Sequence, residues 1–232
     1  MTTVYYSSRR RATQLSRDPT HRMTKEEFVA HYPLLYHMAE ADTWQSICTL
    51  GLLSTSALLD LCGSVGEERS RIESQHRPKP VPLSCGKYGV IVIRDQKPMS
   101  DVALHKCLTN GMTPAEWYAT LNRKVFFWVT EKRLNNMLGA YCGREHMVLV
   151  LDSSKLLSRP ALSVTLSPIN SGSARRKPAP RGMETFCSLQ DYPFNEWRKK
   201  RHGVGNAVAE LAVDWSVPDI DSLVIWVERR GQ

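Results

Sequence analysis

Three polar residues stand where their neighbours are apolar. His37 closes the run Leu34-Leu35-Tyr36-His37, Thr130 closes Lys124-Val-Phe-Phe-Trp-Val-Thr130, and Glu210 interrupts Ala207-Val-Ala-Glu-Leu-Ala-Val213. An ionised carboxylate in a buried strand is costly unless it is paired or faces a cleft, so Glu210 is the first candidate for chemistry. A carboxylate, an imidazole and a hydroxyl brought together can transfer protons and stabilise positive charge. Each residue also has an ordinary role open to it: an outward position on an edge strand for Glu210, a satisfied core histidine for His37, a helix cap for Thr130.

The stretch 34–61 positions the first of these residues and organises the chain around it. Its apolar opening reads as a strand carrying His37. Asp42, with Gln45 three residues on, predicts a capping box for a helix whose stripe is Trp44, Ile47, Cys48 and Leu50. Gly51 is expected to stop that helix in the αL conformation. Ser54-Thr55-Ser56 then offers the cap of a second short helix, Ala57 to Cys62.

Upstream, Thr24-Lys-Glu-Glu27 is a capping box for a helix ending near Tyr32-Pro33. Residues 63–87 carry Gly, Ser, Pro and dense charge without a period and read as a surface loop. Tyr88 to Ile93 reads as a strand by its β-branching, and Ser100 starts a helix through Cys107. Thr113-Pro114-Ala115-Glu116 is a helix start with proline at the first position. Lys124 to Thr130 is an aromatic strand buried on both faces, and Thr130 caps the helix Glu131 to Tyr141. Strands follow at His146–Leu151 and Ala161–Leu166, with a short helix at 152–157 between them. Residues 167–203 read as a long loop with a brief helix near Asp191 to His202. Ala207–Val213 and Ser222–Glu228 are expected to close the chain as a strand pair.

The composition bounds the rest. A chain of 232 residues, 42% hydrophobic and 23% charged, is expected to form one α+β domain, residues 24–232, behind a basic leader, residues 1–23. The formal charge of +8 would favour an anionic partner. Residues 1–25 hold +5 of it, however, so the folded body is only mildly basic. There is no apolar run of spanning length and no secretory signal pattern behind the N-terminal arginines, so no membrane partner is expected. Six cysteines without a CxxC read as reduced thiols of a cytoplasmic protein, and no Cys/His set has zinc spacing, so no metal is expected.

Taken in order, strand–His–helix–Gly-Leu, an aromatic strand running into a helix, and Ala209-Glu210-Leu211-Ala212-Val213 followed by Val217-Pro218 resemble the ADP-ribosyltransferase fold. The similarity is greatest to DNA-modifying ADP-ribosyltransferase toxins of the DarT type, over roughly residues 34–228. It implies two small packed sheets, antiparallel or mixed, forming a cleft for NAD as substrate, with helices concentrated in the N-terminal half. It assigns Glu210 to stabilising the oxocarbenium-like ribose and His37 to gripping a ribose hydroxyl. Tyr36 and Thr130 are placed beside the cofactor, and Phe127 or Tyr141 is to stack on nicotinamide. Asn170, Arg181 and Glu184 fall in an acceptor-recognition loop, and Arg94 or Arg123 would supply a cleft arginine. The acceptor is expected to be a nucleic-acid base or a protein, and an antitoxin or immunity partner is implied. The alternatives are a binding module on the same fold that has lost turnover, and an RNA 2′-phosphotransferase.

Overall fold

The computed structural model describes residues 22–96, 99–175 and 178–231. In chain order the elements are α1 (Lys25–His31), β1 (Leu34–Glu40), α2 (Trp44–Leu50), β2 (Leu52–Leu53), α3 (Thr55–Leu61), α4 (Gly66–Ser74), β3 (Val81–Ser84), β4 (Val90–Ile93), α5 (Asp101–His105), α6 (Pro114–Asn122), β5 (Lys124–Trp128), α7 (Glu131–Ala140), β6 (His146–Asp152), α8 (Ser153–Leu157), β7 (Val164–Ser167), β8 (Cys187–Ser188), α9 (Phe194–Lys200), α10 (Val204–Ala207), β9 (Glu210–Asp214), β10 (Ser216–Val217) and β11 (Val224–Arg230). The α+β class is as expected. The expected pair of small packed sheets is replaced by one seven-stranded sheet, β11-β6-β1-β5-β9-β7-β8, and two two-stranded pieces, β10-β2 and β3-β4. All the sheet's pairings are antiparallel.

The last two strands do not pair with each other. β9 lies between β5 and β7, while β11 takes the far edge against β6. β6 is buried along almost its whole length, which accounts for its unbroken apolar sequence. Strand alternation sorts the core into two layers. Leu35, Phe127, Leu149 and Leu211 pack on one face; Tyr36, Trp128, Val148 and Val150 pack on the other, under Leu134 of α7 and Tyr141 just beyond it.

The sheet is irregular between β1 and β5. β1 and β6 pair in register over seven residues, from Leu34–Asp152 to Glu40–His146. β1 and β5 meet at a single pair, Tyr36 opposite Trp128, and then part.

Local chemistry explains which elements form as read. Thr24 and Thr113 close complete capping boxes with Glu27 and Glu116. Ser54 and Ser100 cap α3 and α5 through Ala57 and Ala103. The box at Asp42 does not form: Asp42 has φ 62°, Thr43 takes the cap position, and its hydroxyl donates back to the Glu40 carbonyl at 2.8 Å. Gly51 does adopt a positive φ of 78°, but with ψ 177° it lies outside αL, in a region open essentially only to glycine. Residues 63–87 are not a bare loop. They form α4 and β3, whose Ile72 and Leu83 pack with Leu59 and Ile93 in a small satellite core. The leader lies outside the described residues as far as position 21. No helix among the described residues is long and apolar enough to cross a membrane.

The reading of all six cysteines as reduced is overturned at two positions. Cys62, at the end of α3, is disulfide-bonded to Cys85, between β3 and β4. The bridge closes a loop with a sequence separation of 23 and fastens the β3–β4 hairpin to the rest of the protein. A cross-link of that span contributes about 2–4 kcal/mol. Cys62→Ser is therefore expected to lower unfolding stability by that amount in urea titrations. Peptide mapping without reductant should recover a linked Cys62–Cys85 peptide; its absence from oxidised protein overturns the pairing.

Candidate functional site

Where β1 and β5 part, a cleft of about 860 Å³ opens, at the large end of the range for small-molecule sites. His37 to Glu40 line one side, Lys124 to Phe126 the other, and the β3–β4 hairpin forms a further wall with Tyr88 and Val90. The strand interiors need partners across this gap, and His37 supplies one. Its Nδ1 lies 2.8 Å from the Phe126 carbonyl, which can only accept, so Nδ1 carries the proton. Burial, with Arg94 adding to it, pushes the imidazole down to about 4, against the opposing pull of that carbonyl. His37 is thus neutral at pH 7, and its Nε2 offers a lone pair. Strand alternation turns the Met38 backbone toward the same gap, where its carbonyl accepts from Arg94 Nη1 at 3.1 Å.

The far end of the cleft is a charged cluster. Arg94 Nε bonds Glu40 at 3.1 Å, and Arg144 bonds Glu40 at 2.9 Å and Asp95 at 3.0 Å. Both guanidinium groups lie over the Tyr141 ring, at 5.1 and 5.7 Å. Tyr141 lines the cleft but is 4% exposed and has both cations against its ring, which leaves little of it for a nicotinamide to stack on. Arg77 also lines the cleft and is 6% exposed. It bonds the carbonyls of Ile72 and Arg94 and the side chain of Asn122, and among the described residues it has no carboxylate within ion-pair distance. Burial lowers it to about 10, which leaves it cationic at pH 7.

Glu210 begins β9, opposite Trp128, which is itself opposite Tyr36. A row across three strands therefore puts Glu210 about 10 Å from Tyr36, backbone to backbone. The carboxylate is 2% exposed. Ser171 holds it by its backbone N–H at 3.1 Å and its hydroxyl at 2.6 Å. Burial nevertheless raises it to about 7, against those bonds and the charges of Arg133 and Arg181. Glu210 is not on the cleft wall. Its neighbour Ser171 is followed by Gly172, which is.

The remaining sequence-derived positions divide cleanly. His37, Arg94 and Tyr141 line the cleft. Tyr36 and Phe127 do not: both are buried, and Phe127 packs beneath His37 at 5.6 Å between ring centres. The cleft takes Phe126 instead, because adjacent strand residues face opposite ways. Thr130 precedes α7 without a side-chain capping bond and is also outside the cleft lining. Glu184 is exposed and bonds Asn110 at 3.2 Å, and Asn170 lies in the loop before Ser171. Arg181 is buried, bonded to protein carbonyls and outside the cleft lining, so it is not placed to grip a substrate there. Arg123 is exposed and outside the cleft lining. Phe126 was one residue from the expected position; Arg77 and Ser171 sit in stretches with no period to mark them. Among the described residues no group of three His, Cys, Asp or Glu is arranged to hold a metal.

Burial thus favours a protonated Glu210 and a deprotonated His37, and the two act oppositely on stability. The folded chain keeps the Glu210 proton that the unfolded chain releases from about pH 4.5, so that contribution is full below pH 4.5 and lost as pH rises to about 7. The unfolded chain binds the His37 proton below about 6.5 and the folded chain only near 4, so that contribution is present above 6.5 and lost as pH falls. Between pH 4.5 and 6.5 the slopes cancel. Glu210→Gln is expected to unmask a rise of about 2–3 kcal/mol across that window, and His37→Gln a fall of similar size. Urea unfolding at stepped pH measures both; curves parallel to wild type overturn the assigned protonation states.

A model for a family of unknown function, DUF7002, matches residues 33–224, from the residue before β1 to the first residue of β11. No curated protein matches the chain.

Proposed function

The chain belongs to the DUF7002 family, and we propose that it is an NAD-dependent ADP-ribosyltransferase of ADP-ribosyltransferase-like fold. In this reading it transfers ADP-ribose from NAD to a nucleic-acid base or protein acceptor and releases nicotinamide. The observation that carries the proposal is the parted sheet: a cleft between β1 and β5, with a neutral His37 on its wall fixed by the Phe126 carbonyl. The sequence resemblance supports the same reading from the other side, through Leu34–Leu53 and the Glu210 block.

The residues divide the chemistry as follows. His37 Nε2 accepts from a ribose hydroxyl, its tautomer set by the bond from Nδ1. The Met38 edge of β1 presents backbone groups to a carboxamide, which can pair as a neighbouring strand would. Arg77 is a buried cation with bonds only to neutral groups, an arrangement suited to the diphosphate. Cleaving the nicotinamide–ribose bond leaves positive charge at the ribose C1′. Glu210, once ionised, stabilises that charge or takes the proton of the incoming nucleophile. An affinity for protons near 7 suits the second task. The Ser171–Gly172 segment has to yield for the carboxylate to reach the cleft. Phe126 and Tyr88 replace Phe127 and Tyr141 as the rings available to nicotinamide.

A non-catalytic NAD-binding module is the reading favoured by one observation, the absence of Glu210 from the cleft wall. The two separate by measurement. Purified protein should bind NAD, with thermal stabilisation growing with the logarithm of ligand concentration. Glu210→Gln should leave NAD binding nearly unchanged while nicotinamide release falls by about 10²–10³. His37→Ala should weaken NAD affinity together with rate. No stabilisation at millimolar NAD sinks the proposal. Binding by wild type and Glu210→Gln alike, with no release by either on any acceptor, leaves the binding module.

A further inference from the structure

Among the described residues Arg181 is the least exposed arginine, and it lies outside the cleft lining. It is 3% exposed. Its backbone is pinned to the segment after α5: the amide donates to Cys107 O at 2.8 Å and the carbonyl accepts from Thr109 N at 2.9 Å. Its guanidinium lies over the Trp117 ring at 5.9 Å. From that anchored position Nη1 donates to two carbonyls of one turn, Ser171 O at 3.1 Å and Ser173 O at 2.8 Å, while Nε donates to Ala179 O at 3.1 Å. Among the described residues it has no carboxylate within ion-pair distance.

The gripped turn is the one that matters to Glu210. Ser171 supplies the N–H and the hydroxyl that hold the Glu210 carboxylate, and Gly172, between the two gripped carbonyls, lines the cleft. We infer that Arg181 is a positioning residue: it clamps the Ser171–Ser173 turn against Glu210 and so sets how far the carboxylate is shut off from water and from the cleft. This rests on the assignment of Glu210 to the reaction, but its test does not need the reaction to occur. Arg181 reaches Glu210 through the turn rather than by contact. Without it the turn's carbonyls lose their donor, and a buried carbonyl without a partner is costly enough to reorganise a short loop.

A clamp and a mere neighbouring charge predict opposite signs. If Arg181 acted only through its charge, removing it would destabilise the carboxylate and raise the Glu210 midpoint further. If it clamps, removing it lets the turn open and water in. Burial is the largest contribution to the raised midpoint, so relief of burial lowers it toward the ordinary carboxylate value. Infrared titration of protein carrying ¹³C-labelled glutamate, with Glu210→Gln as the spectral blank, reads the midpoint without NAD. Under the clamp, Arg181→Met and Arg181→Lys both lower it by about one pH unit or more, and the Ser171 amide exchanges faster. Ser171→Ala, which removes one bond and leaves the clamp in place, raises it. Arg181→Lys keeps the charge and cannot bridge both carbonyls in the same way, so it decides the matter if Arg181→Met does not fold. A rise in Arg181→Met, or no change in Arg181→Lys with Ser171 still protected, overturns the clamp. Wild type that titrates as described but releases no nicotinamide from NAD removes the enzymatic reading and leaves the clamp standing.

Discussion

A sheet that parts in its middle leaves two rows of peptide groups facing a gap. Buried peptide groups without partners are costly, so such a gap survives only where something satisfies them. Here β1 is anchored along its full length by β6, and β5 along its full length by β9, so neither strand depends on the other for its ladder. Across the opening the protein spends two side chains on backbone carbonyls: His37 on Phe126 and Arg94 on Met38. The single Tyr36–Trp128 pair closes the other end, with apolar layers above and below. The cleft is therefore a consequence of where pairing stops.

That origin explains the electrostatics around it. A gap inside a sheet is lined by strand ends and enclosed by core, so ionisable groups placed there lose water on most sides. His37, on the cleft wall, responds by giving up its proton, and Glu210, buried behind Ser171 and off that wall, holds its proton more tightly than a free carboxyl, each shifted toward its neutral form. The arginines cannot respond that way at pH 7. Arg94 and Arg144 share Glu40 and Arg144 also bonds Asp95, while Arg77 hydrogen-bonds only neutral groups, with Asp95 near enough to favour its charge. The cleft thus holds a neutral imidazole beside Arg77, Arg94 and two carboxylates, Glu40 and Asp95, both bonded by Arg144.

Much of this was legible because it was local. The boxes at Thr24 and Thr113 each rest on two residues three apart, and both form. Glu210 could be singled out because a carboxylate among Ala, Val and Leu has few ways to be there. What failed was decided at a distance. Asp42 has the residue type and spacing of a cap but turns to positive φ, and Thr43 takes its place. α4 buries only Ile72 against a satellite core, so its nine residues carry no apolar period to read. Phe126 and Phe127 are equivalent in sequence, and only the phase of the pleat sends one to the cleft and the other to the core. The Cys62–Cys85 pairing and the Arg181 grip on Ser171 and Ser173 join segments whose proximity no local pattern encodes.

Gly51 shows what this architecture would mean to anyone reshaping the cleft by mutagenesis. It lies in the lining, next to Leu50 and Leu52, and looks like a small residue that leaves room for variation. A Cβ there would stand 2.9 Å from the Val217 carbonyl and 3.1 Å from Pro218 Cα, on a backbone already at φ 78°. Both obstacles are main chain, so no rotamer change relieves them, and the β2–β10 pair beside it would have to shift. A library that varies Leu50, Leu53 or Thr49 samples new pocket shapes. One that includes position 51 spends its members on displaced backbone, and the cleft floor has to be treated there as fixed.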